Sequence, residues 1–188
     1  MTAEESLRLL SLPHAITKNW VVRLREPQRH YHTLAHVEAM LANLSTAHAT
    51  RELVAAIWLH DIVYDPKACD NEEMSAFVAE QDLVGSGINI PTVIGLILGT
   101  KGHEPGSDTQ NLLNDLDLGI LGAPPAAYAR YAHQIRQEYA HIATPAYKAG
   151  RAKVLSAFDQ KQIFQTELFA GLEERAHKNL RAEIARLI

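Results

Sequence analysis

Apolar residues recur along this chain at spacings of three and four, and the alternation of a half-buried strand is scarce. The pattern predicts a short helix over 4–10 and a second over 15–25. Pro27 interrupts, and Thr33 suits the N-cap of a helix carrying Leu34, Val37, Leu41 and Leu44. Residues 51–64 form a nearly continuous apolar helix, with Pro66 just beyond its end. Asp70 is placed to cap the next helix, with Glu73 closing a capping box, and that helix runs to about residue 84. A turn through VGSGINIP leads to a helix begun by Pro91. KGHEPGSD is a loop rich in breakers, and Asp108 is placed to cap a helix through NLLNDLDLGIL. Pro124 and Pro125 begin a long helix with Tyr128, Tyr131, Ile135 and Tyr139. Two or three amphipathic helices fill 146–188, the last carrying Leu172, Ala176, Leu180, Ile184 and Leu187.

No repeat, linker or low-complexity stretch interrupts the 188 residues, so 1–188 read as one all-α domain. At 47% apolar the chain falls outside the disordered and fibrous classes. The net charge of −4 argues against stable nucleic-acid binding, which needs a clustered basic surface. A single cysteine, Cys69, excludes an internal disulfide and a thiolate metal cluster. No stretch approaches the ~20 apolar residues of a membrane span. The N-terminal MTAEESLRLLSLP has no basic start followed by an apolar run of signal length, and the expectation is a cytoplasmic protein away from membranes. GSG at 85–87 lacks the rest of a dinucleotide fingerprint and reads as a turn.

Ten histidines change the picture where they meet carboxylates. His60 and Asp61 stand side by side in the predicted buried helix, and a buried unpaired carboxylate costs several kcal/mol. A buried Arg, a neighbouring helix to cap, a histidine to orient or a metal ion would each meet Asp61. RHYHTLAHVEAML, residues 29–41, places His30, His32 and His36 at the start of a helix. His32 and His36 have the spacing of a zinc-protease pair, but Thr33 stands where that motif requires Glu. In LLNDLDLGIL, Asp115 and Asp117 point to different faces of a helix and cannot share a task.

Taken in order, these elements resemble the HD superfamily of metal-dependent phosphohydrolases: His36, the doublet His60-Asp61, and Asp117 in DLDL. The chain is similar in particular to the uncharacterised branch described as predicted metal-dependent HD phosphohydrolases. EPQRHYHTLAHV, AIWLHDIVYD, DNEEMSA, NDLDLGILG, IRQEY and the pattern Tyr147, Gly150, Arg151, Val154, Leu155 carry that similarity over about residues 26–155.

The resemblance implies a single-domain HD-type helical bundle with a metal site between helices. It implies one divalent ion (Mn, Fe, Ni, Co, Zn or Mg) held by His36, His60, Asp61 and Asp117. The implied reaction is hydrolysis of a phosphate ester, such as a nucleotide or another small phosphorylated metabolite, by metal-activated water. Asp61 is a candidate for orienting the nucleophile as well as binding the ion. Glu72 is a candidate for proton transfer, set against an acidic residue placed favourably near a helix N-terminus. Arg29, His32, Lys101 and His103 are candidates for binding substrate phosphate or a second metal ion. Arg136, Glu138, Tyr139 and Arg151 match the same branch and are read as a buried ionic support. The competing readings are a non-catalytic metal- or nucleotide-binding regulatory module of the same fold and a helical protein merely stapled by its metal. A homodimer is compatible with each.

Overall fold

Thr2 starts the first helix by a reciprocal cap: its hydroxyl accepts the Glu5 amide, and the Glu5 carboxylate accepts the Thr2 amide. The computed structural model describes residues 1–188 as ten α-helices, three short 3-10 turns and no strand. The helices are α1 (Ala3–Leu10), α2 (His14–Arg23), α3 (Leu34–Asn43), α4 (Arg51–Leu59), α5 (Asn71–Asp82), α6 (Ile90–Gly99), α7 (Asp108–Leu118), α8 (Pro125–Glu138), α9 (Thr144–Asp159) and α10 (Glu173–Leu187). None is long and apolar enough to cross a membrane. Packing divides the chain into two compact units, Met1–Leu116 and Asp117–Ile188, at a point inside α7 that no sequence linker marks.

In the first unit α4 is the axial element. Every residue from Leu53 to Leu59 is buried, and α1, α3, α5 and α6 pack around it. An apolar sequence on all faces requires such a position, because any exposed face would strand apolar surface in water. Both indole N–H groups of this core are matched: Trp58 Nε1 donates to Ser6 Oγ at 2.9 Å, and Trp20 Nε1 donates to Asp82 Oδ2 at 2.7 Å.

Four local expectations are corrected. The helix expected over 51–64 ends at Leu59, so His60 and Asp61 stand at its C-terminal turn and not in mid-helix. Pro66 limits a helix only from about residue 65, so it does not set this end. Past Leu59 the main chain is taken up by side chains, with Arg29 at the Asp61 and Ile62 carbonyls and Ser75 at Val63. Thr33 and Asp70 occupy N-cap positions, but neither side chain makes a capping bond. Glu73 does not close a box on Asp70; it pairs with Lys101, whose charge outbids a neutral amide. The cap of α7 is Ser107, whose hydroxyl accepts the Gln110 amide at 3.3 Å, and Asp108 is the first helical residue.

The second unit packs α10 against α9 and against the 3-10 turn Gly119–Gly122. Asn179 on α10 donates to the carbonyls of Leu121 and Ala123 at 2.8 and 2.9 Å, fastening that turn. Glu183 on α10 receives Arg151 of α9 and the Tyr128 hydroxyl of α8. Glu173 receives the amides of Ile163 and Phe164, so the first residue of α10 organises the loop after α9.

Candidate metal centre

Two segments of the first unit bring three ligand-type side chains together. His36 lies in the first turn of α3, buried, and α3 packs against α4. His60 is the buried C-cap of α4, and Asp61 follows it in the turn, half-buried. One ligand atom from each of His36, His60 and Asp61 lies within 4.8 Å of the other two.

The local hydrogen bonds decide what these atoms offer. His60 Nδ1 sits 3.0 Å from the Ile57 carbonyl oxygen, which can only accept, so Nδ1 carries a proton. In the neutral ring, Nε2 then presents a lone pair. That nitrogen lies 3.3 Å from His36 Nε2 and 3.1 Å from Asp61 Oδ2. A lone pair facing a carboxylate oxygen in a buried pocket is repulsive unless positive charge stands between them, either an added proton or a cation. Ligand bonds of about 2.0–2.2 Å at tetrahedral or right angles give ligand–ligand edges of about 2.8–3.6 Å. The 3.3 and 3.1 Å separations fit those edges. The nitrogen–oxygen donor set therefore fits a divalent ion of the Mn-to-Zn series, and the Ile57 contact orients the ring as an outer partner of a metal-bound histidine does.

The remaining candidates are distributed as follows. His32 stacks on Tyr64 with ring centroids 4.2 Å apart and meets the His36 ring edge-on at 6.1 Å, so it flanks the centre. Tyr31 lies 4.9 Å from the His36 ring. Glu72 is half-buried in the first turn of α5. Lys101 donates to both oxygens of Glu73 at 2.6 and 2.8 Å and to the Cys69 carbonyl at 2.8 Å, with Glu72 at 3.6 Å. The hydrogen bond from Lys101 holds the Glu73 carboxyl below its usual range, and the same bond raises the Lys101 ammonium. Lys101 thus ties the loop after α6 to the start of α5. His103 adopts a left-handed backbone, φ 49°, in that loop, a conformation uncommon for a non-glycine residue.

Arg29, expected at substrate phosphate, has a different occupation. Its side chain has no exposed surface, and it donates to the carbonyls of His32, Asp61 and Ile62 and to Glu26. Asp117 lies on the last turn of α7 as the first residue of the second unit and is half-buried. It is not one of the three clustered residues. Asp115 is the fully buried aspartate of the pair. Asn71 and Ser75 stand in the DNEEMSA segment of the resemblance, but sequence reasoning assigned neither a task. Ser75 Oγ accepts the Val63 amide at 3.1 Å and donates to its carbonyl at 3.3 Å. Asn71 pairs with both main-chain groups of Asp65 at 2.9 Å.

No family model, curated protein or solved structure matches this chain.

Proposed function

We propose that the chain is a metal-dependent phosphohydrolase that cleaves a small phosphate ester. The observation that carries the reading is the convergence of His36 Nε2, His60 Nε2 and Asp61 Oδ2, with the His60 ring held by Ile57 so that its lone pair faces the other two. The resemblance of the ordered motifs supplies the reaction class. A divalent ion held by these residues supplies Lewis acidity toward phosphoryl oxygen and acidifies water.

The chain's own groups then have separate tasks. His36 and His60 are neutral donors; Asp61 adds negative charge and orients water. Glu72 is the proton acceptor as water adds to phosphorus, and the ester P–O bond breaks with the proton passing to the departing oxygen. His32, which flanks the centre, and His103 are the donors to phosphate oxygens in this reading. Lys101, engaged with Glu73, positions the loop that bears His103.

Metal analysis of the purified protein, followed by a screen of nucleotides and phosphate esters with Mn, Co, Ni and Mg, tests the reading. His60→Ala and Asp61→Ala should each abolish turnover with helical content retained. Full activity in either variant refutes the catalytic proposal. Bound metal without turnover of any ester leaves a binding module in its place.

A further inference from the structure

We propose that Arg29 is a positioning residue of the metal centre, setting the separation between the segment that leads into α3 and the turn that carries Asp61. The inference rests on the metal-centre reading above.

The geometry that carries it is a single guanidinium spanning two ligand-bearing segments. Arg29 Nη1 donates to the His32 carbonyl at 3.0 Å, immediately before α3 and its His36. The same Nη1 donates to the Asp61 carbonyl at 2.6 Å, and Nη2 donates to the Ile62 carbonyl at 3.0 Å. Nε is directed to Glu26 Oε2 at 3.2 Å, which fixes the plane of the fork. A charged side chain with no exposed surface is costly to bury, and its cost is offset here by the carbonyls of His32, Asp61 and Ile62, which lie outside any helix, and by Glu26.

Two other side chains continue the fastening downstream. Ser75 holds both main-chain groups of Val63, and Asn71 holds both of Asp65. Main-chain groups from Asp61 to Asp65 are thus pinned by side chains from outside the turn. Arg29 alone among these reaches the segment before His36. A planar fork can engage three carbonyls at once; an ammonium on a flexible stem cannot reproduce that set. Rigid holding of this kind determines whether ligand atoms already lie at binding distance before an ion arrives, and loss of such outer partners characteristically weakens metal binding by about 10–100-fold.

The full-length chain and its Arg29→Met and Arg29→Lys variants are titrated with Co(II) alone, following the visible absorption bands for affinity and ligand geometry and far-UV circular dichroism for the fold. The expected result is about tenfold or greater loss of Co(II) affinity in Arg29→Met, with altered band intensities at unchanged helicity, and a partial loss in Arg29→Lys. Should Arg29→Met fail to fold, Arg29→Lys decides by the same readout. Wild-type affinity and spectrum in a folded variant overturn the inference. Collapse of both variants overturns it too, because Arg29 would then serve the fold rather than the site. A wild-type chain that takes up no Co(II) removes the metal-centre reading itself, a result distinct from either.

Discussion

Replacing Glu183 by Ala isolates the charge network of the second unit. Glu183 accepts Arg151 Nε at 2.9 Å and Nη2 at 3.4 Å, and the Tyr128 hydroxyl at 2.5 Å. The side chains of Arg151 and Glu183 are only 9% and 7% exposed. Burial and the Glu183 carboxylate push the Tyr128 phenol up, so it remains a donor. For Arg151, burial opposes the charge, but Tyr131 and Glu183 outweigh it and hold the guanidinium charged. Glu183→Ala therefore strands a buried cation and a phenolic O–H, at a cost of about 3–5 kcal/mol. Replacing both partners, with Arg151→Met and Glu183→Leu, removes the stranded charge as well and should restore most of that loss. Urea unfolding followed by circular dichroism and by tryptophan fluorescence reads both effects. Both tryptophans, Trp20 and Trp58, belong to the first unit. Destabilisation confined to residues 117–188 thus lowers the midpoint seen by circular dichroism before fluorescence changes. A loss below about 1 kcal/mol in Glu183→Ala, or a double variant weaker than the single one, refutes the argument.

Ser6→Ala should cost about 1–3 kcal/mol by leaving the buried Trp58 N–H without its acceptor, measured as a shift in urea midpoint. Wild-type protein at a Mn or Co concentration about 100 times its Kd should gain about 2.7 kcal/mol, seen as a Tm rise, and Asp61→Asn should show none. Asp159 is held below the usual carboxyl range; burial opposes this, and Arg181 and His177 outweigh it. A depressed carboxyl stabilises the fold above its ordinary titration range and loses that contribution as pH falls through its folded value. The stability gap between wild type and Asp159→Asn should therefore be level near neutrality and narrow on acidification; a gap that widens in acid contradicts the assignment. Gly122→Ala should destabilise the second unit, because a Cβ there would stand 2.6 Å from Leu172 Cβ, a clash to be read as a lowered Tm.

The helical architecture was legible because a helix advertises itself within a few residues. The apolar period placed α3, α5, α6, α8 and α10 close to their observed spans, and Pro91 and Pro125 marked two starts. The end of α4 was not legible from apolarity. Isoleucine and valine continue past Leu59, yet the chain leaves the helix there, where Arg29 and Ser75 take up main-chain groups of Asp61, Ile62 and Val63. Arg29 shows the same limit from the other side. A basic residue beside histidines invites a phosphate, and nothing in its neighbours announces that three carbonyls, two of them more than thirty residues away, consume its donors. Glu73 likewise had a local partner in reach and took a distant charged one in Lys101.

By itself the sequence determined an all-helical chain, a central helix buried over most of its length, and the residue types from which a nitrogen–oxygen site can be made. Periodicity, proline placement and side-chain chemistry act over one or two turns, so they can be read along the chain. The tertiary structure alone decided that His36 and His60, twenty-four positions apart, face each other across 3.3 Å, that Arg29 is a brace, and that α7 is shared between two packed units. Those outcomes depend on which of several competing donors and acceptors reaches a given group once the core has closed, and that competition is settled by packing in three dimensions.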